Sequence, residues 1–178
     1  MTVKEFLILG AIASNRRELM EQIHKLPKPA AIAGVKTPNS LNDLTMGKLM
    51  ELQSVSSDAD CMIVPCHVLL GLTSDKVEQC EAVDVLGFSQ WVAGEVKRIA
   101  KLFESTSVTP TPEETRAGVD KLSFGLFGLV DYYATRMGIT DHEQVERVPW
   151  VRVYKCLDMD AKKIRYERRL RKIYQENQ

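Results

Sequence analysis

This chain has little of what most enzymes and metalloproteins use. Its only histidines are His24, His67 and His142, and none lies within helical reach of another. The four cysteines, Cys61, Cys66, Cys80 and Cys156, form no CxxC pair and have no histidine at ligand spacing. That argues against a zinc site and a dithiol redox motif, and points to reduced, partly buried thiols. Net charge is absent too: 24 basic residues stand against 24 acidic ones. No global field draws the protein to nucleic acid or an anionic membrane, so either partner needs a local patch. Gly71, Gly87, Gly94, Gly125 and Gly128 spell no phosphate-binding loop, and no cofactor is expected. The opening MTVKEFLILGAIASNRR has a weak basic region before its apolar run and a basic pair after it, a poor match to a secretory leader. The cytoplasm is the expected compartment.

What the chain does have is helical periodicity. Residues 122–138, LSFGLFGLVDYYATRMG, are apolar on nearly every side, interrupted by Asp131, Thr135 and Arg136. A helix of that kind belongs inside a protein, and at about 16 residues it is too short to cross a bilayer. It is expected to be a buried hub, with Ser123 as N-cap and Gly138 as terminator.

Around it the other elements follow in order. Residues 3–13 fit either a strand or the first turns of a helix. Ser14 or Asn15 caps RRELMEQIHKL, which ends at Pro27. Prolines 27, 29 and 38 with Gly34 then make residues 27–40 an extended connector, leaving the N-terminal segment as an arm. Thr45 caps a helix over 44–52, and Asp58 or Asp60 caps the segment CMIVPCHVLLG. Ser74 opens a short helix. From Ala82, the stripe Phe88, Val92, Val96, Ile99 and Phe103 marks a long core-facing helix ending near Ser105. A short helix over 112–119 leads to the hub, and Thr140 with Glu143 reads as a capping box for another. Pro149 begins the last helix, whose stripe is Trp150, Tyr154, Leu157, Ala161 and Ile164. From Arg165 the sequence is dense in charge and is expected to project. The fold expected is all-α, one compact bundle of about seven helices by this periodicity. An N-terminal segment and linker occupy 1–40, a helical core 41–164, and a charged helix end 165–178.

Two pairs of segments look alike. LTMGKLMEL at 44–52 parallels LSFGLFGLV at 122–130, and GLTSDKVEQCEAVDVL from Gly71 parallels GITDHEQVERVPWVRVY from Gly138, with one residue inserted before Val145. A duplication would make the body two similar helical units. Capped helices followed by Gly-Leu-Thr turns also arise independently, and both readings stand.

Candidate chemistry is sparse. Cys66 beside His67 suggests a nucleophile and base, but adjacent residues on a helix point apart. Asp131 reads as a partner of Arg136 or of a base elsewhere, rather than as a catalytic carboxylate. The basic series Lys162, Lys163, Arg165, Arg168, Arg169, Arg171 and Lys172, with Tyr166 and Tyr174 between, suits nucleic acid. It equally suits a solvated or protein-binding helix end whose cations sit near the negative pole of the macrodipole. A helix-turn-helix around Gly138 is disfavoured because VPWVRV offers few donors to bases.

One resemblance gives these elements a function. SLNDLTMGKLMELQSV, continuing into an apolar helix, a Gly-Leu turn and the short acidic helix GLTSDKVEQ, is similar to the opening of tail assembly chaperones of tailed bacteriophages. It covers residues 38–90, and 119–157 if the repeat is a duplication. It implies a non-catalytic protein of the host cytoplasm that binds the tape-measure protein, or another phage structural protein, and shields its apolar helices. Methionines suit groove packing of that kind, so the partner-binding residues expected are Met46, Met50, Tyr166, Leu170, Ile173 and Tyr174. No catalytic residue and no metal are expected.

Overall fold

The computed structural model describes residues 1–12 and 21–176. The first half of the helix expected over 16–26, residues 16–20, lies outside the described residues; 21–23 are helical and the chain then turns at 24–25. The described chain is mostly helical. It comprises α1 (Val3–Ile12), β1 (Ala31–Ile32), β2 (Val35–Lys36), α2 (Met46–Gln53), α3 (Asp58–Leu70), α4 (Ser74–Glu78), α5 (Ala82–Ser105), α6 (Pro112–Arg116), a 3-10 turn (Val119–Lys121), α7 (Gly125–Met137), α8 (His142–Glu146) and α9 (Trp150–Glu176). The α-helices among the described residues number nine, more than the expected seven. Contacts group the chain into two compact units, residues 1–41 with 48–98, and 42–47 with 99–178.

In the first unit the N-terminus is not an arm. Thr2 forms an antiparallel bridge with Glu81. The Val3 N–H donates to Cys80 O at 3.0 Å and the Ala82 N–H to Met1 O at 2.9 Å. Val3 is fully buried, and residues 3–12 resolve the strand-or-helix question as helix. The proline-rich connector is extended as its composition requires, yet tied down. β1 and β2 pair as a two-stranded hairpin, Ile32 is buried, and the buried Thr37 hydroxyl donates to Pro29 O at 2.6 Å. The Lys28 ammonium sits 4.5 Å from the Trp91 ring centroid. At Gly87 the connector passes so close that a Cβ there would lie 2.3 Å from Pro27 O. Pro65 lies inside α3, which Ser57 caps rather than Asp58 or Asp60, through a 3.1 Å bond from the Asp60 N–H. Thr73, not Ser74, is the N-cap residue of α4.

The second unit repeats the same local architecture. Thr45 bridges Pro149; the Met46 N–H donates to Val148 O at 2.8 Å and the Trp150 N–H to Leu44 O at 3.0 Å. Met46 and Trp150 are buried, as Val3 and Ala82 are. α7 and α3 each have 13 residues and are followed by a glycine at φ 66°, and α8 and α4 each have five, the fourth being the buried Val145 and Val77. The structural counterpart of TMGKLMEL is therefore TVKEFLIL at residues 2–9, not LSFGLFGLV, because only those two segments lead from a bridge into a helix. The second turn is one residue longer, running from Gly138 to the cap Asp141 where the first runs from Gly71 to the cap Thr73. The Asp141 carboxylate accepts from the Glu143 N–H at 2.9 Å and caps α8 in place of the expected Thr140 box. A full capping box forms instead at Thr111 and Glu114.

The hub expectation fails. α7 buries Val130, Tyr133 and Ala134, a single i, i+3, i+4 stripe packed on α8 and α9. Leu122, Phe124, Phe127 and Met137 are exposed. An apolar count marks what could be covered, whereas covering needs neighbours, and this helix has them on one side. The long stripe of α5 holds, with Phe88, Val92 and Ile99 buried.

Two glycines of α5 make a paired test. Gly94 has nothing within 4 Å of a built Cβ, so Gly94→Ala should raise stability by about 1 kcal/mol by removing backbone freedom from the unfolded chain. Gly87→Ala should lower the urea midpoint, because the Pro27 carbonyl must move.

Candidate protein-docking surface

The approach to α7 is built unlike the start of its counterpart α3. α3 has a serine cap and acidic residues Asp58 and Asp60 in its first turn, complementing the N–H groups and the positive pole there. α7 is preceded by the 3-10 turn and an extended Leu122, and begins at Phe124 with no side-chain cap and no acid in its first turn. Gly125 sits at φ 56°, a conformation other residues rarely adopt. Gly128 leaves room for Phe124, whose Cβ would be 2.6 Å from a Cβ at that position. The result is three large apolar side chains exposed within six residues: Leu122 is 64%, Phe124 72% and Phe127 58% exposed. The Phe127 ring meets His142 edge-on at 5.0 Å, and His142 Nε2 lies 3.3 Å from Asp131 Oδ1. Asp131 thus reaches His142, not Arg136. Lacking a cap costs a helix about 1 kcal/mol, and leaving large apolar side chains in water forgoes their burial.

The polar join between α7 and α9 is well made. The Tyr132 hydroxyl and the Arg136 guanidinium both donate to Asp160 Oδ2. Partial burial, then the neighbouring carboxylate, pushes the Tyr132 phenol up to about 12. The bonds from Tyr132 and Arg136 hold the Asp160 carboxyl below its usual range.

The C-terminal basic series divides in two. Arg165 donates to Ser105 O at 2.8 Å and Ser107 O at 2.9 Å. Arg168 donates to Thr109 O at 2.5 Å and pairs with both Glu114 oxygens at 2.9 Å. These two arginines are structural fasteners, so the helix leaves the body later than Arg165. Every residue from 171 to 176 is exposed. Lys162 pairs with Asp158 at 2.6 Å and Lys163 with Glu167 at 3.9 Å, leaving Arg169, Arg171 and Lys172 facing solvent.

Of the expected partner-binding residues, Met46 is a core residue, fully buried at the start of α2, and Met50 and Leu170 are partly covered. Tyr166, Ile173 and Tyr174 are exposed on α9. Buried as it is, Met46 offers no surface to a partner. Leu122, Phe124 and Phe127, read from the sequence as interior, are the surface residues that reading missed. The available signal was the pair of glycines, Gly125 and Gly128, in the first turn of the helix.

Catalytic candidates do not assemble. Cys66 is buried, and burial pushes its thiol up to about 12, while His67 turns its Nδ1 toward Leu72 O at 3.2 Å. All four cysteines are free. No cluster of metal-ligating side chains occurs among the described residues, and no helix among them is long and apolar enough to cross a membrane. Trp150 and Val153 in the first turn of α9 are buried, so that turn cannot enter a DNA groove. No protein-family profile, no curated protein and no solved structure matches the chain.

The lowered Asp160 carboxyl ties the stability of the fold to pH. A carboxyl titrating lower in the folded state stabilises the fold above its unfolded pKa of about 3.9, and that contribution is lost as pH falls through the folded value. Asp160→Asn should lower the denaturation midpoint at neutral pH and flatten its decline on acidification.

Proposed function

We propose that the protein is a non-catalytic phage or prophage assembly factor of the tail-assembly-chaperone kind, which holds apolar helices of another structural protein, such as a tape-measure protein, until assembly. The observation that carries this reading is the contrast between the two matched helix starts. The α3 version, with Ser57, Asp58 and Asp60, shows that the architecture can begin this helix with a capped, hydrated turn. The α7 version gives up the cap and presents Leu122, Phe124 and Phe127 to water. Exposed contiguous apolar groups on a soluble surface mark interaction sites more often than packing needs. The resemblance over residues 38–90 supports the same reading. A helix laid on such a surface is recognised through apolar anchors at helical spacing.

The alternative, a nucleic-acid-binding or regulatory protein, would use the basic series of α9. Two of its seven cations, Arg165 and Arg168, are engaged by carbonyls and Glu114. That weakens the electrostatic footprint this reading needs.

Titrating the full chain with amphipathic helical peptides tests the proposal. Micromolar-range binding that survives high salt is expected, and L122S/F124S/F127S should weaken it at least about tenfold while leaving the thermal melt in place. Binding to duplex DNA alone, with a steep salt slope, would reverse the ranking.

A further inference from the structure

We infer that Asp131 and His142 are positioning residues that hold the Phe127 ring ready for the partner's apolar helix; this rests on the protein-binding reading above and names what organises its surface. Phe127 and Asp131 lie one helical turn apart on α7, so their side chains are neighbours on one face. His142, the first residue of α8, meets both. Its Nε2 lies 3.3 Å from Asp131 Oδ1, and its ring stands edge-on to Phe127 with centroids 5.0 Å apart. Held on one side by the carboxylate, the imidazole bounds the exposed Phe127 ring on the other. The charges next to the pair are engaged elsewhere, Glu143 with Arg147 and Arg136 with Asp160. Asp131 and His142 are left to each other.

The first copy of the motif shows that the fold does not require this trio. With α7 matched to α3 from the left-handed glycine after each, Phe127 stands where the first copy has Asp60, and Asp131 where it has Val64. With α8 matched to α4, His142 stands where it has Ser74. Asp60 serves its own helix start, accepting from the Ser57 hydroxyl at 2.6 Å. All three positions are replaced in the second copy, and His142 touches both of the other replacements. Exposed polar pairs add little to stability, so the use of the pair lies in what it does to Phe127. A surface aromatic free to turn loses that freedom when a partner covers it. Holding the ring beforehand removes that loss from the binding step.

The test titrates the full chain and its variants with a Leu-faced amphipathic helical peptide carrying neutral Gln flanks, and reads the Phe127 χ1 couplings by NMR in the free protein. His142→Ala should weaken binding about fivefold, leave the thermal melt in place and average the Phe127 rotamer that the wild type holds. On a Phe127→Ser background the same change should cost no further affinity. Asp131→Ala should behave like His142→Ala, and Asp131→Asn, which keeps an oxygen facing the imidazole, should lose less. If the wild type binds the peptide but His142→Ala leaves affinity and rotamer unchanged, the positioning role is overturned and the helix-binding reading stands. Losses that simply add on the Phe127→Ser background overturn it too, because His142 would then act apart from Phe127. No binding by the wild-type chain would remove the helix-binding reading and this role with it.

Discussion

The structure depends on a pairing only three residues long. In each unit a lead-in strand of the form apolar-Thr-apolar crosses the residues just before a long helix, with one hydrogen bond on each side of the threonine. One such contact starts two helices at once. At Leu44 to Met46 it sets the beginnings of α2 and α9, and at Met1 to Val3 those of α1 and α5. Each bridge also satisfies helix-start N–H groups that would otherwise need a cap. That explains how Pro149 is accommodated: the bonds come from Met46 and Trp150, so its missing N–H is not needed. Because each short strand is far in sequence from its partner, these contacts join segments that local propensity cannot connect.

Given that framework, the second copy of the motif has room to deviate. α3 and α7 occupy equivalent places between a lead-in and a left-handed glycine, and both end the same way. They differ at their starts, where α3 is capped and acidic and α7 is uncapped and apolar. The stability forgone at α7 is tolerable because its inner stripe of Val130, Tyr133 and Ala134 is buried, and Asp160 ties Tyr132 and Arg136 to the neighbouring helix. Exposed apolar side chains can thus be carried on an element whose other face is held. α9 follows the same logic, anchored on one side by Arg165 and Arg168 and exposed on the other.

Much of the secondary structure was legible in the chain. The α5 stripe is the clearest case, since Phe88, Val92 and Ile99 recur at helical spacing and are the residues that end up covered. Gly71 and Gly138 marked helix ends for a purely local reason, the low cost of a positive φ without a Cβ. Caps were harder. Ser57 and Asp141 lie within a residue or two of other polar candidates, and backbone geometry at the junction selects among them. The candidate surface was read inside out, because an apolar stretch looks the same whether it is buried against neighbours or offered to a partner.

What the amino-acid sequence determined by itself is the helical character and the positions of the glycine terminators, both properties of spacing along a few turns. Tertiary structure alone decided that residues 2–9, and not 122–130, are the counterpart of 45–52, that Met46 is core, and that Leu122, Phe124 and Phe127 face water. Those outcomes turn on which distant strand pairs with which helix start and on how many neighbours a helix acquires. Burial is a property of the surroundings, and the surroundings come from contacts tens of residues apart.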